Sequence, residues 1–180
     1  MSRYAAFLRG MNVGGHRLTN EELRGHFDAM GFADVATFRA SGNVVFAGQQ
    51  AKPALVRSRI EEGLSGLLGY GVPAFIRTAA EVRAMASKQP FPAKQVSASK
   101  GKLQVALLFE KPSGDAAGEL EELSSKDDRL LLDGRELYWL PSGGVLESAL
   151  DMKRIERLLG PMTMRTKGTI EQIAAKHFDD

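Results

Sequence analysis

The chain has 180 residues, of which 43% are hydrophobic and 26% are charged, and its formal net charge is +2. A chain of this length and composition buries enough surface to fold without covalent cross-links, as one large domain or two small ones. It contains no cysteine, which excludes disulfides, zinc–thiolate sites and cysteine nucleophiles. Because no apolar run reaches the length of a membrane span and the N-terminus lacks a secretory signal pattern, we expect a cytoplasmic protein with no membrane partner.

The charge is distributed unevenly along the chain. Residues 1–100 contain 13 Lys and Arg against 7 Asp and Glu, whereas residues 101–180 contain 11 against 15. This asymmetry favours an anionic partner for the first half, and random scatter of charges explains it equally well.

The first half of the chain predicts the element order strand, helix, strand, strand, helix, strand. The Thr19-x-x-Glu22 pattern is typical of a capping box at the start of the first helix, and Pro53 is typical of the first turn of the second. Thr78 and Glu81 predict a further short helix in the same way. Alternating and continuous apolar segments predict strands over 4–8, 35–39, 43–47 and 72–77.

A polar stretch that begins at Gln89-Pro90-Phe91-Pro92 predicts a linker over 89–101, after which the element order repeats. The second half predicts a hairpin around Asp133-Gly134, further strands over 103–109 and 162–165, and helices over 115–125, 148–159 and 169–178. We therefore expect an α+β fold of two tandem ferredoxin-like (βαββαβ) plaits, residues 1–88 and residues 102–180, the latter with a closing C-terminal helix.

The candidate binding site is the glycine-rich loop that follows the first predicted strand. In a plait the end of strand 1 lies beside the start of strand 3, and the capped start of the first helix provides free N–H groups at the same edge. The loop and turn residues expected there could hold a phosphate or carboxylate; they are Arg9, Asn12, Gly14, Gly15, His16, Arg17, Arg39, Ser41 and Asn43. In the alternative interpretation, the Asn and Ser side chains bond their own backbone and the glycines serve only turn geometry.

Two segments of the chain, L-R-G-M-N-V-G-G-H at 8–16 and S-G-N-V-V-F at 41–46, carry a family resemblance. The chain resembles a widespread bacterial family of unknown function marked by L-R-G-I-N-V-G-G and S-G-N-V-V-F. The resemblance implies two ferredoxin-like halves and no established activity, substrate or cofactor. The family's later T-x-R-N-W-x-T segment corresponds to 163–169, where Arg165 and Thr169 are kept and Thr166 and Lys167 replace Asn and Trp. A strand end and a helix cap are the alternative roles for Arg165 and Thr169.

Other chemistry is not indicated by the sequence. There is no phosphate-binding loop motif and no nucleophile elbow, and the three histidines lack metal-ligand spacing. Residues 69–74 fit G-x-G-x-x-A by letter, but they lie between a predicted helix and a strand, the reverse of the dinucleotide-binding context. The sequence thus predicts no metal site, and it identifies neither a cofactor nor a catalytic residue.

Three functions remain in competition. The favoured hypothesis is a protein that binds a small anionic ligand at the glycine-rich loop, with the question of an enzymatic activity left open. The second is an RNA- or nucleic-acid-binding module that displays Phe7 and Phe46 on its central strands for base stacking. The third is a structural protein-interaction domain without a ligand. The sequence leaves the oligomeric state open.

Overall fold

The structure is a computed structural model that describes residues 1–12, 15, 17–39, 42–49 and 52–179. In this part of the chain the strands form two four-stranded antiparallel sheets, accompanied by helices, so that the fold is α+β. By contacts, the same part divides into two compact units. Unit 1 consists of residues 1–84 and the chain from Ile173 onward, and unit 2 consists of Met85–Gln172.

The first sheet has the strand order β2-β3-β1-β4. The central strand β1 pairs with β3 through Phe7↔Asn43 and with β4 through Phe7↔Phe75. The elements of this part of the chain are β1 (Ser2–Leu8), α1 (Asn20–Ala29), β2 (Ala33–Thr37), β3 (Asn43–Gly48), α2 (Pro53–Leu68), β4 (Ala74–Thr78) and α3 (Ala79–Ser87).

The second sheet has the equivalent order β6-β7-β5-β8. The hairpin predicted around Asp133-Gly134 is present, with Asp133 paired to Glu136. The elements that follow α3 are α4 (Ala93–Ala98), β5 (Gln104–Leu108), α5 (Gly114–Leu123), β6 (Asp128–Asp133), β7 (Glu136–Pro141), α6 (Met152–Leu159), β8 (Met162–Thr166) and α7 (Lys167–His177).

Both predicted capping boxes are confirmed. The hydroxyl of Thr19 accepts from the backbone N–H of Glu22 at 3.1 Å, and the carboxylate of Glu22 accepts from the N–H of Thr19 at 2.8 Å. The same exchange links Thr78 and Glu81, at 3.2 and 2.8 Å. Each box satisfies N–H groups that the helix itself leaves without a partner, which fixes where α1 and α3 begin.

The polar stretch predicted as a linker contains a helix. Within 89–101 the chain forms α4, whose first turn is closed by a bond from the Val96 N–H to the Pro92 carbonyl at 3.2 Å. The hydroxyl of Ser99 then donates to the carbonyl of Pro141 at 2.5 Å. The polar composition of this stretch therefore reflects an exposed helix rather than an irregular connection.

The helix predicted over 148–159 starts later, at Met152. The side chain of Asp151 accepts from the Arg154 N–H at 3.0 Å and forms the N-cap. The preceding residues instead form a single 3-10 turn at Val145–Glu147, and the hydroxyl of Ser148 accepts from the Leu150 N–H. The start of α6 is therefore set by the capping side chain of Asp151 and not by the apolar periodicity, which predicted a start at residue 148.

Each unit has its own apolar core. In unit 1, Phe27 of α1 and Ile60 of α2 are fully buried and belong to one cluster with Phe46 of β3. In unit 2, Leu120 of α5 and Ile155 of α6 cluster with residues of β5 and β7. Among the described residues, no helix combines the length and the apolar character that crossing a bilayer demands.

Candidate functional site

Backbone and side-chain hydrogen bonds bring three segments of unit 1 together. The N–H of Leu8, at the end of β1, donates to the carbonyl of Gly42 in the β2–β3 turn at 2.8 Å. The side-chain amide of Asn20, at the start of α1, donates to the carbonyl of Arg39 in the same turn at 3.2 Å. We refer to residues 9–12, 15, 17–20, 39, 42 and 43 as the glycine-loop end.

The glycine-loop end includes six of the nine site residues expected from the sequence. They are Arg9, Asn12, Gly15, Arg17, Arg39 and Asn43. The other three, Gly14, His16 and Ser41, lie outside the described residues, so their place in the site stays a prediction.

Asn12 helps to shape the loop. Its side-chain oxygen accepts from the backbone N–H of Leu18, which lies just before α1, at 3.0 Å. The preceding residue, Met11, is buried, and its carbonyl accepts from the hydroxyl of Tyr70 at 2.5 Å. Met11 and Asn12 are therefore each held by a hydrogen bond.

Asn43 has a similar role in the β2–β3 turn. Its side-chain amide is buried and donates to the carbonyl of Phe38 at 3.0 Å, while its own carbonyl accepts from the Phe38 N–H at 3.0 Å. The side chain of Asn43 is therefore placed to hold the turn rather than to meet a ligand. Sequence reasoning had kept this structural role as the alternative.

The three arginines of the glycine-loop end, Arg9, Arg17 and Arg39, are exposed. Arg39 has a φ of +56°, in the left-handed region that L-residues rarely adopt. Its guanidinium carbon lies 5.5 Å from the centroid of the Phe38 ring. Backbone strain of this kind costs about 1–3 kcal/mol and persists only where surrounding contacts fix it; here the bond from Asn20 to the Arg39 carbonyl is one such contact.

Two residues near the C-terminus join this group, and sequence reasoning missed them. The Nζ atom of Lys176 lies 6.0 Å from the centroid of the Phe38 ring, and the ring of His177 meets Phe38 edge-on at 6.5 Å. No local sequence signal connects them to the glycine-rich loop, because the contact depends on the tertiary fold. Phe38 is thus bordered by two cationic side chains, Arg39 and Lys176.

His177 lies in an environment that disfavours its charge. Burial, and then the positive charges of Lys176 and Arg3, lower the pKa of His177 below its ordinary value of 6.5. Its Nε2 atom is buried and has no hydrogen-bond partner within the described part of the chain. Both observations show surroundings that disfavour the protonated imidazole in the folded protein.

The start of α1 already has a carboxylate. The backbone N–H and then the hydroxyl of Thr19 lower the pKa of Glu22 by hydrogen bonding to its charged form. This carboxylate occupies the N–H of Thr19, so an anion bound at the glycine-loop end would depend on the arginines more than on this helix start.

Arg165 and Thr169 lie in unit 2. Arg165 is on β8, where its Nη1 donates to the hydroxyl of Thr163 at 2.8 Å and to the carbonyl of Met164 at 2.9 Å. Burial lowers the pKa of Arg165 to about 10. The N–H of Thr169 donates to the hydroxyl of Thr166 at 3.2 Å, which is a contact of a helix cap.

Unit 1 has a buried arginine at the matching position, and sequence reasoning overlooked it. Arg77 on β4 is opposite Ala5, as Arg165 on β8 is opposite Val105. Arg77 is fully buried and donates from Nη1 to the carbonyl of Ile76 at 3.0 Å, the same bond that Arg165 makes to Met164. An Arg-Thr pair between a predicted strand and a predicted helix, present in both halves, was the available signal.

The described residues include no group of three or more His, Asp or Glu side chains that could hold a metal ion.

Comparison with known proteins assigns the chain to a family. The family model described as "Protein of unknown function (DUF1697)" matches residues 1–138. A solved structure, that of the conserved bacterial protein SP0830 from Streptococcus pneumoniae, is similar with a TM-score of 0.71 and 21% sequence identity, over 97% of each chain. At this identity the likeness shows the fold alone. No curated protein matches the chain. The chain belongs to the DUF1697 family of proteins of unknown function.

Proposed function

We propose that this protein binds a small anionic ligand, one that carries a phosphate or carboxylate group, at the glycine-loop end. The observation that carries the proposal is the conformation of Arg39, whose strained backbone holds an exposed guanidinium beside Phe38. Strained residues cluster at ligand and active sites, and they persist only where the surrounding structure fixes them.

The charges around Arg39 support an anionic ligand. Lys176 borders the same ring, and Arg9 and Arg17 are exposed on the neighbouring loop. A guanidinium offers a planar fork of donors that matches a carboxylate or a phosphate. Asn12 and Asn43 are not ligand contacts in this proposal, since their side chains bond the backbone.

The strand orders support a finer description of the fold. Each sheet places its first strand between the third and the fourth, with all of these neighbours antiparallel. This is the order of a ferredoxin-like plait, and we propose that both halves are plaits of this type. In such a plait the end of the first strand and the start of the third share one edge, which is where the glycine-loop end lies.

The nucleic-acid alternative loses its main argument. Phe7 is fully buried and Phe46 is 2% exposed, so neither ring is available to stack on a base. A nucleic-acid ligand would have to bind through charge alone, which predicts a steep loss of affinity with salt.

The test is the melting temperature of the protein with phosphorylated metabolites, nucleotides, carboxylates and short RNA. A ligand at 100 times its Kd stabilises the folded state by about 2.7 kcal/mol, which raises the melting temperature by several degrees. We expect one class of anion to stabilise the wild type and Arg24→Gln, which removes an exposed charge from α1, but not Arg39→Gln. If no anion shifts the melting temperature, or if Arg39→Gln responds like the wild type, the proposal is wrong.

A further inference from the structure

Unit 2 contains a cleft of about 540 Å³ at the end of its sheet. It is formed by α4 and the turn that follows it, by the loop before β6 together with the start of β6, and by the end of β7. Four basic side chains line it: Lys94 on α4, Lys100 in the turn after it, Lys126 before β6, and Arg129 on β6. This volume is within the range of about 300–1,000 Å³ that is usual for small-molecule sites.

The charged side chains among the described residues that line the cleft are all basic. Among the described residues that line it there is no acidic side chain, and none of its four basic residues forms an ion pair within the described part of the chain. Other lysines of unit 2 are paired: Lys88 lies 3.0 Å from Asp133, and Lys167 lies 2.7 Å from Glu171. Clustered positive charges without partners raise the local potential and attract a polyanion.

One wall of the cleft is fixed by a close backbone approach. The Ser99 hydroxyl donates to the Pro141 carbonyl and accepts from the N–H of Gly101 at 3.1 Å. A Cβ atom at residue 101 would overlap the carbonyl oxygens of Pro141 and Gly143, so this approach requires glycine. The turn that presents Lys100 is therefore held against the end of β7.

The cleft also has an apolar part. Leu140 and Pro141 line it and are buried at the end of β7, and Ala98 of α4 lines it from the other side. A site lined by apolar groups together with a few charged ones suits a ligand that has both an apolar body and a charged head.

We propose that this cleft binds a small molecule of the nucleoside diphosphate class, with the diphosphate among the basic side chains and the ring system against Leu140, Pro141 and Ala98. Such a ligand carries about three negative charges at neutral pH, since each phosphate group retains a strongly acidic oxygen and the terminal group has a second pKa near 6. A bounded cleft with an apolar wall favours this class over a nucleic acid, which is followed along its backbone by a continuous basic groove.

The site is independent of the glycine-loop end, because all the residues that line it belong to unit 2. Its basic residues come from both the net-positive segment 1–100 and the net-negative segment 101–180. Lys94 and Lys100 belong to the first segment, and Lys126 and Arg129 belong to the second.

The experiment is calorimetric titration of the full chain with adenosine diphosphate, inorganic pyrophosphate and adenosine. We expect adenosine diphosphate to bind most tightly, and Arg129→Gln and Lys126→Gln each to weaken it by about tenfold or more, the usual value of a charge-assisted hydrogen bond. Lys153→Gln removes an exposed charge from α6 outside the cleft, and Arg39→Gln removes one from the glycine-loop end; both should bind like the wild type. Lys126 is exposed, so its variant reports on binding even if Arg129→Gln is less stable.

The proposal is overturned if adenosine diphosphate binds no more tightly than adenosine, or if Arg129→Gln and Lys126→Gln bind it as Lys153→Gln does. It is also overturned if a short single-stranded RNA binds through Lys126 and Arg129 with steep salt dependence while adenosine diphosphate does not bind. Loss of binding in Arg39→Gln alone would assign the ligand to the glycine-loop end instead.

Discussion

Neighbouring polar side chains at the glycine-loop end have different tasks. The amide of Asn43 is buried, and a buried amide without a partner would cost about 1–3 kcal/mol, so it bonds the Phe38 carbonyl. The guanidinium of Arg39 is far more costly to bury and lies exposed. The amide of Asn43 therefore gives the turn its shape, whereas the guanidinium of Arg39 lies at the surface.

At the same scale, His177→Gln is expected to reduce the pH dependence of stability. The folded protein holds the pKa of His177 below 6.5, so the unfolded chain takes up the proton first as the pH falls. Wild-type stability attributable to this residue is therefore complete above about pH 6.5 and is lost as the pH drops through the lowered value. Thermal unfolding measured across this pH range should show that the free energy of unfolding changes less steeply with pH in His177→Gln than in the wild type.

The matched control is His26→Gln, which removes a half-buried histidine from α1. In this control variant, the contribution of His177 to the pH dependence of the free energy of unfolding should be unchanged. Equal slopes for the wild type and His177→Gln would show that the pKa of His177 is the same in the folded and the unfolded states.

Among the elements, the β2–β3 turn depends on one glycine for two reasons. Gly42 has a φ of +73°, and a Cβ atom there would lie 3.0 Å from the Cβ of Leu8 on β1. The turn can bring its carbonyl to the Leu8 N–H only because that space is empty. The conformation and the close approach therefore have separate energetic costs.

We expect Gly42→Ala to destabilise the protein more than Gly69→Ala. Gly69 ends α2 with a nearly identical φ of +76°, and a Cβ atom there would have no neighbour within 4 Å. Both variants have the left-handed cost of about 1–2 kcal/mol, and only Gly42→Ala adds a steric cost of about 1–3 kcal/mol. Urea unfolding measures the difference, and equal losses would mean that the β1–turn contact relaxes freely.

Elements with a local signal were predictable from the sequence. The Thr19–Glu22 box and the Asp133-Gly134 turn each depend on residues within a few positions of one another, and both are present. Helix α4 was not predictable in this way, because its stretch is polar and is anchored by the Ser99 contact to Pro141, which is distant in sequence.

At the scale of the whole molecule, unit 1 is discontinuous in sequence. Residues from Ile173 onward belong to it by contacts, whereas the sequence interpretation placed the whole C-terminal helix with residues 102–180. Phe178 is fully buried; its ring lies 5.2 Å from the guanidinium carbon of Arg3, and its carbonyl accepts from Arg83 at 3.1 Å. Contacts between such distant residues leave no trace in local periodicity, which is also why Lys176 and His177 were missed at the candidate site.

Phe178→Ala is accordingly expected to destabilise unit 1 by about 3–5 kcal/mol, the usual cost of removing a buried phenylalanine. Leu146→Ala is the control, since Leu146 is an apolar side chain that is fully exposed, and it should leave stability within about 0.5 kcal/mol of wild type. Chemical unfolding of both variants tests this, and similar stabilities would show that the C-terminal residues add little to unit 1.

The place of Phe178 also has a consequence for biosynthesis. A ribosome that has completed residue 84 must add the 88 residues of Met85–Gln172 before it reaches Ile173. At about 5–20 residues per second, this takes roughly 4–18 s. Throughout that interval the nascent chain has every strand of its first sheet but not the aromatic ring that packs beside Arg3. Unit 1 therefore completes its packing only after Phe178 has been synthesised, and until then the apolar position that this ring fills stays open.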